Sequence, residues 1–286
     1  MRPHRGSPHS EVPEPAGQAS GVAEREPMRL GGMALRNGLL VHGPTSWAAA
    51  IRTREGLIDV ASGRKPRAPQ RVDRIPGARG VVRLGEALLV IPLVRRALPG
   101  ARLPFEDVRV IGAAALASAG GIAARRRLGA GGGEIAAATL SLLPSLVALR
   151  GRDTAQYHGV EHKAIAAYEQ GAEDAGGAAK EHDRCGSHLV APMLAANLAG
   201  TALLRRTLAR PSPVAGGVVS LASIGAAVEV FAWSERNAGT RTARLLRVPG
   251  TELQRRLGTR EPTEDQLEVG RAALREILRA EGVAQA

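Results

Sequence analysis

Four stretches of apolar residues, rich in Ala and Gly, dominate the pattern of the chain and cover residues 108–124, 134–149, 189–204 and 214–232. A helix needs about 20 apolar residues to cross a bilayer, a length that the fourth stretch reaches and the first three fall short of. Small residues let helices pack closely in lipid. The pattern predicts a mainly α-helical, multi-pass membrane bundle of about four spans, with a soluble Ala-rich bundle as the alternative.

Shorter patterns flank these stretches. Two runs with strand character, 47–51 and 57–60, are separated by a turn and predict a small β-hairpin region over residues 29–60. Residues 81–98 predict an amphipathic helix at the membrane surface, with Arg at both ends. A C-terminal soluble helix is expected over residues 263–281, with an apolar stripe of Leu267, Val269, Ala273, Leu274, Ile277 and Leu278.

The order of these patterns suggests one domain behind a tail. Residues 1–28 are rich in Pro, Gly, Ser and charge and hold no apolar core of a secretory signal, so we expect a disordered tail there. Residues 29–281 are expected to form a single domain. Its parts are the β-hairpin region 29–60, interfacial and membrane helices 81–149, a His/Cys-rich segment 150–188, membrane helices 189–232 and a C-terminal helix within 248–281.

The amino-acid composition of the chain limits which binding partners and which cellular compartment are expected. The formal net charge is +12, but aromatic residues make up only 2% of the chain, so the stacking platforms that bind nucleic acid are not expected. A single Cys excludes an internal disulfide and suits a reducing compartment. With four spans, the termini and the 150–188 segment share one side of the cell membrane. We expect that side to be the cytoplasm, with the lipid bilayer as the main partner.

The candidate chemistry is concentrated in the sequence His158-Gly-Val-Glu161-His162. In a helix these three side chains, at positions i, i+3 and i+4, share one face. In metal peptidases with the H-x-x-E-H pattern, both His bind the ion and the Glu is the general base that acts on bound water. We therefore predict His158 and His162 as metal ligands and Glu161 as a catalytic base.

Such a site needs a further ligand, and His182 and Cys185 are the predicted ones, on a segment that returns after a Gly-rich loop. Four protein ligands would make a closed structural site, whereas three ligands and a water would make a catalytic one. The alternative is that one or two of these His only hydrogen-bond to the backbone. Imidazole and thiolate ligands favour a divalent metal, zinc in particular.

Several other side chains could support the site. Glu169 shares the helix face but lies about 10 Å of rise beyond His162, so a supporting role is expected. Arg184 could stabilise developing negative charge during catalysis or pair with a nearby Glu. Glu229, inside the fourth apolar stretch, either faces the His cluster or lies near the membrane surface. Tyr157 and His188 are further candidates close to the motif.

Blocks spread over the chain resemble the bacterial YqhQ-type family. They include Gly31-Gly-Met-Ala-Leu-Arg-Asn-Gly38, Gly43-Pro-Thr-Ser-Trp47-Ala, Tyr157-His-Gly-Val-Glu-His-Lys163, Ala167-Tyr-Glu169, His182-Asp-Arg-Cys-Gly186, Thr259-Arg-Glu-Pro262 and Gln266-Leu-Glu-Val269. That family is described as metal-dependent membrane enzymes, although its domain has no assigned function. The resemblance runs over about residues 29–281 in order, with a weak match between 61 and 150.

The resemblance implies a multi-pass membrane protein with a metal site in the His-rich segment. It assigns that site to His158, Glu161, His162, His182, Arg184 and Cys185, and it matches Glu229 to an acidic position in the last membrane helix. The chain departs from the family pattern at Asp183, where Pro is usual, and His188 is particular to this chain.

Two functions follow from these patterns. The first is a metal-dependent integral membrane enzyme, a hydrolase acting at the cytoplasmic face on a small-molecule, lipid-linked or peptide substrate. Its catalytic residues would be Glu161 and Arg184. The alternative is a non-catalytic, metal-stapled scaffold, regulator or transporter accessory protein. The number of protein ligands to the metal distinguishes them.

Overall fold

The computed structural model describes residues 27–172, 175–208 and 211–283. The predicted disordered tail over residues 1–28 therefore lies almost entirely outside the described residues. The described chain is mainly helical and carries a small antiparallel sheet near its start. This confirms the predicted class, in which helices dominate and β-structure is confined to the N-terminal region.

The N-terminal region is a four-stranded meander, in which the predicted hairpin over 47–60 is present as the last two strands and two further strands precede it. Its strands pair in chain order and are β1 Gly31–Ala34, β2 Gly38–His42, β3 Ser46–Arg52 and β4 Ile58–Arg64. Nearly all of β2 and β3 is buried, because both faces of the sheet are covered. Such strands lack the apolar–polar alternation of a half-exposed strand, and β2 was missed for this reason. Strand β4 continues to Arg64, beyond the end of the β-hairpin region expected over residues 29–60.

Helices cover both faces of the sheet. Helix α1, Ala78–Ala97, packs on one face, and its exposed side carries Leu84, Leu88 and Leu89. Its contacts form a core cluster that includes Leu40, Ala49, Ile51, Val90 and Val94. Helices α5, Arg152–Gln170, and α9, Glu264–Ala280, cover the other face. Their core cluster includes Leu39, Val41, Ala48, Val160, Val269 and Ile277.

The apolar stretches form the remaining long helices. These are α2 Val108–Arg127, α3 Gly129–Leu140, α4 Leu143–Arg150, α6 Val190–Thr207 and α7 Pro213–Arg236. Among the described residues, four segments are long and apolar enough to cross a membrane, namely Val108–Arg127, Gly131–Arg150, Gly186–Thr207 and Pro213–Arg236. The second contains a turn at residues 141–142. Pro144 follows that turn in the first turn of α4, where Pro is tolerated.

Two of these helices connect directly to the His-rich segment. Only Gly151 separates the end of α4 from α5, and α6 begins a few residues after the His/Cys-rich loop. After α7 the chain continues as α8, Arg241–Leu253, and a π-helical turn, Gln254–Gly258, before α9. The predicted C-terminal helix is confirmed, and the buried residues of α9 include five of the six predicted stripe residues. This arrangement gathers the His-rich helix, its loop and the π-helical turn at one end of the bundle.

Candidate metal centre

The motif helix α5 is buried on almost every side, and glycines let its neighbours approach. A Cβ on Gly159 would lie 2.3 Å from the Arg260 carbonyl oxygen, and one on Gly270 of α9 would lie 2.4 Å from a methyl carbon of Val160. Such contacts are closer than real side chains tolerate, so larger residues would push the elements apart. The two glycines thereby hold His158 and its neighbours at a defined depth in the fold.

His158, His162 and Cys185 form the centre of the site. Each offers one potential ligand atom, and the three atoms all lie within 4.8 Å of one another. The Cys185 Sγ lies 3.5 Å from Nε2 of His158, and the two imidazole rings have centroids 4.4 Å apart. The structure therefore brings together three of the four predicted ligands.

Backbone carbonyls orient both imidazoles of α5. Nδ1 of His158 lies 2.8 Å from the Gly258 oxygen, and Nδ1 of His162 lies 2.6 Å from the Lys180 oxygen. A carbonyl oxygen can only accept, so each Nδ1 carries a proton, and in the neutral ring Nε2 is then the nitrogen with the free lone pair. Metal-binding His residues are commonly held in this way by a second hydrogen bond.

The lone pair of His162 is the strongest sign that a metal fits. Nε2 of His162 is buried and has no hydrogen-bond partner among the described residues. Burial, with the neighbouring His158 as a further cause, lowers the pKa of His162 to about 3, so the ring is neutral. A buried polar atom without a partner costs free energy, and coordination of an ion would remove that cost. The donor set of two imidazoles and a thiol suits zinc.

Glu161 lies beside these three residues and is covered by β1. A Cβ on Gly32 would be 2.8 Å from Oε1 of Glu161, and the backbone of Ala34 hydrogen-bonds to the carboxyl group. Burial raises the pKa of Glu161 to about 7, with Cys185 adding to the rise and His158 opposing it. The structure thus places a carboxyl group that can exchange a proton near neutral pH against two of the candidate ligands.

His182, the fourth predicted ligand, is not part of the cluster. Its Nε2 lies 3.3 Å from Oε2 of Glu169, and its Nδ1 accepts a hydrogen bond of 3.2 Å from the Arg184 amide. Both nitrogens are therefore engaged, and the ring lies 5.7 Å from that of His162, between centroids. These contacts link His182 to α5 and to the backbone of its own loop.

Gln254, which sequence reasoning missed, clamps the loop that carries Cys185. Its Oε1 accepts from the His182 amide at 2.8 Å, and its Nε2 donates to the His182 oxygen at 3.2 Å and to Oγ of Ser187 at 2.8 Å. Gln254 is almost completely buried and opens the π-helical turn whose Gly258 oxygen holds His158. The sequence indicates this role of Gln254 only weakly, because it shows no more than a polar residue next to a break in an amphipathic helix.

Arg184 and Glu169 form an ion pair, which settles one alternative left open by the sequence. Glu169 thus holds both Arg184 and His182, and the supporting role expected for it agrees with these contacts. Glu235, at the end of α7, is close enough to act electrostatically on His182 and Arg184. The role of Arg184 in stabilising negative charge stays a prediction.

Glu229 lies between α7 and the start of α1 and does not face the His cluster. Its carboxylate pairs with Arg79 and accepts a hydrogen bond of 2.9 Å from the Gly77 amide at the start of α1. Glu229 therefore joins α7 to α1, and the acidic residue of α7 that lies near His182 and Arg184 is Glu235. Two turns of helix separate these residues, and spacing alone did not show which end of α7 approaches the site.

His188 and Tyr157 contribute to packing. His188 is buried and stacks on Phe231, its Nδ1 lies 3.1 Å from the Arg247 oxygen, and its Nε2 lies 3.2 Å from Nε2 of Gln254. These contacts use both ring nitrogens, so the structure does not bring His188 to the cluster. Tyr157 is only 4% exposed and belongs to the core between the sheet and α9.

A cavity of about 410 Å³ opens onto the cluster. His158, Glu161 and Cys185 line its polar part, and the rest is formed by β1, α4 and the start of α6. Two of the three candidate ligands, His158 and Cys185, are thus accessible from the cavity, next to the ends of two membrane-length helices, while His162 lies buried behind them. Such a site has room for a water or substrate group in addition to the protein ligands.

The fold and this cluster define a mainly helical chain with four membrane-length helices and a candidate centre of two His and one Cys. A family model described as a protein of unknown function (DUF1385) matches residues 150–280, which is less than half of the chain. The match covers α5, the His/Cys loop and the helices α6 to α9, and leaves out the sheet. No curated protein and no solved structure matched the chain. The resemblance to the YqhQ-type family stays a prediction.

Proposed function

We propose that the chain is a metal-dependent hydrolase of the cell membrane with a divalent metal, preferably zinc, held by His158, His162 and Cys185. One observation carries the proposal. Three potential ligand atoms lie within 4.8 Å of one another beside the buried Glu161, and an open cavity reaches two of the residues that carry them, His158 and Cys185. This is the arrangement of a catalytic site, in which protein ligands leave one position for water or substrate.

The ligand count favours the enzyme over the metal-stapled scaffold. A closed structural site would need a fourth protein ligand, and His182 was the predicted one. Its two nitrogens are engaged by Glu169 and by the Arg184 amide instead. The DUF1385 match assigns no activity, so the proposal rests on this geometry.

In the proposed reaction a water molecule is the co-reactant, and a bound zinc ion would lower the pKa of that water to about 7. Glu161 takes one proton from the water, and the water oxygen forms a bond to the electrophilic carbon or phosphorus of the substrate. The bond from that atom to the leaving group breaks, and Glu161 returns the proton to the leaving group. Gly258 and Lys180, through their carbonyl oxygens, keep His158 and His162 oriented.

The membrane setting is supported by the four long apolar helices and by the exposure of their side chains. Leu203 is 63% exposed and Val218 is 60% exposed, which suits contact with lipid. The basic charge and the free thiol favour a cytoplasmic position for the site and the termini. We propose the bilayer as partner and a small-molecule, lipid-linked or peptide substrate, and no nucleic acid.

Elemental analysis of the detergent-purified protein tests the proposal. The wild type and Glu161→Gln should each carry about one equivalent of metal, because Glu161 is not a ligand. His158→Ala/His162→Ala should lose it, and a matched substitution of the buried but engaged His188→Gln should retain it. Absence of metal from all of these proteins, after purification without chelators, would overturn the proposal.

A further inference from the structure

A second cavity, of about 320 Å³, adjoins the one above the metal centre. The two cavities share Pro104, Ala148 and Thr154 among their lining residues. Thr154 lies one helical turn before His158 on α5, so the shared wall is close to the candidate ligands. A single elongated molecule could therefore occupy both cavities, and the lining of each shows what part of it would fit there.

The first cavity has an apolar end that points towards the membrane helices. Ala148 and Leu149 belong to the last turn of α4 and Val190 to the first turn of α6, and all three line this cavity. Both helices lie in segments long and apolar enough to cross a membrane. The cavity therefore opens where these helices would leave the hydrocarbon layer, and an alkyl chain could enter it directly from lipid.

The second cavity is basic. Its lining includes Arg109, Arg150 and Arg152, and within the described parts of the chain none of these three forms an ion pair. The other charged residues there are Arg36, which pairs with Asp107 at 3.2 Å, and Asp153. Four Arg face two Asp, so the cavity favours an anion. Guanidinium groups bind phosphate oxygens through paired, charge-assisted hydrogen bonds.

The position of these arginines matches the headgroup layer. Arg150 is the last residue of α4, and Arg152 is the first residue of α5. At 1.5 Å of rise per residue, Arg152 lies about 9 Å along the helix from His158. An anionic group bound by the arginines would thus be held a short distance from the reactive centre, at the depth where a lipid carries its phosphate.

We infer that the site takes a membrane lipid with an anionic, phosphate-bearing headgroup, whose alkyl chain enters between α4 and α6. That this lipid is a substrate rests on the proposed function, in which Glu161 would act on one of its bonds. Binding itself depends only on the two cavities. The lipid would approach sideways from the bilayer, with its phosphate on Arg109, Arg150 and Arg152 and its apolar part along Ala148 and Val190.

Photolabelling of the full chain in nanodiscs tests this inference. The probe is phosphatidic acid with a diazirine on one acyl chain, and its partner probe is the diacylglycerol with the same chains but no phosphate. Mass spectrometry locates the label. We expect phosphatidic acid to label the cavity-lining parts of α4 and α6, and diacylglycerol to label them about tenfold less, since charge-assisted hydrogen bonds to the arginines are lost.

Matched variants separate the two cavities from general lipid contact. Ala148→Trp should block the apolar cavity, and Arg150→Gln/Arg152→Gln should remove most of the preference for the phosphate. Leu203→Trp and Arg126→Gln/Arg127→Gln are the controls, because these exposed residues lie at the opposite ends of α6 and α2. Equal labelling by both probes, or an equal loss in the control variants, would overturn the inference.

Inorganic phosphate distinguishes a lipid from a free anion. Thermal stabilisation by phosphate that depends on Arg150 and Arg152, without labelling of the cavity by either lipid, would overturn the lipid assignment. The same labelling in His158→Ala/His162→Ala separates this inference from the proposed function. Labelling that persists in this metal-free variant shows that the lipid binds without the metal. A labelled wild type that carries no metal supports the lipid site while the hydrolase fails, and a metal-loaded wild type without labelling shows the reverse.

Discussion

Gly32 of β1 lies directly against the carboxyl group of Glu161, so closely that a Cβ on Gly32 would be 2.8 Å from Oε1, Cγ and Cδ of that side chain. The two residues are 129 positions apart in the chain, yet β1, the first strand of the sheet, packs directly over Glu161, the proposed base. On this side, β1 therefore shields the carboxyl group of Glu161 from solvent.

Gly32→Ala should destabilise the protein by about 1–3 kcal/mol, because the added methyl group overpacks against Glu161. Thermal unfolding in detergent measures the effect. Gly85→Ala is the control, since a Cβ at that helical position meets no neighbour within 4 Å and should be neutral or slightly stabilising. Adding Glu161→Ala to Gly32→Ala should recover most of the loss. Equal destabilisation in the presence and absence of Glu161 would show that the contact is not the cause.

His182→Gln should retain about one equivalent of metal, whereas Cys185→Ser should lose most of it. The reason is that Cys185 belongs to the cluster and both nitrogens of His182 are used by Glu169 and the Arg184 amide. Elemental analysis after removal of loose metal compares the two variants. Equal loss in both would indicate four protein ligands and would favour the scaffold over the hydrolase.

Gln254→Leu should weaken metal binding by about 10- to 100-fold, the usual effect of removing a residue that orients metal ligands. Leu fills a similar volume but leaves the His182 backbone and Ser187 without the hydrogen bonds that hold the Cys185 loop. Competition with a chromophoric chelator measures the affinity. Arg256→Gln, an exposed change on the same π-helical turn, is the matched control. An unchanged affinity in Gln254→Leu would contradict the clamp.

His42 should make the protein less stable as the pH falls from about 6.5 to 4. Burial, with Lys65 as a further cause, lowers the pKa of His42 to about 4 in the folded protein from an ordinary value of 6.5. The unfolded chain therefore takes up the proton first, and the free energy of unfolding drops across this window by at most about 3 kcal/mol. Above 6.5 the effect is absent, because His42 is neutral in both states.

Thermal unfolding of the wild type and of His42→Gln between pH 4 and 7 tests this dependence. Other groups titrate in both proteins, so the difference between the two curves isolates His42. The wild type should lose more of its Tm on acidification than the variant does. Parallel curves would mean that His42 contributes nothing to the acid sensitivity.

Local sequence patterns were sufficient to predict the long helices and part of the candidate metal site. The four apolar stretches all became helices, and the stripe that begins at Leu267 marked α9 to within a residue or two at each end. His158 and His162 come together through helix geometry alone, because positions i and i+4 share a face. A single element dictates each of these features, and its period can be seen in the sequence.

The features that were missed all depend on contacts between distant segments. The sequence contained two candidate partners for the His pair, and the structure brings Cys185 close to both His while Gln254 and Glu169 hold His182 apart from them. The orientation of α7 decides that Glu235 approaches the loop while Glu229 binds Arg79. Strand β2 is buried on both faces, so its sequence lacks the alternation of apolar and polar residues that identifies a half-exposed strand.

The sequence by itself therefore determined the helical class, the membrane-length stretches and the H-x-x-E-H face, since each depends on the period of one helix. Only the tertiary structure decided the third ligand, the strand that covers Glu161 and the two cavities that meet at Thr154. These depend on close packing between segments more than 20 residues apart, and such packing leaves no periodic trace in one sequence.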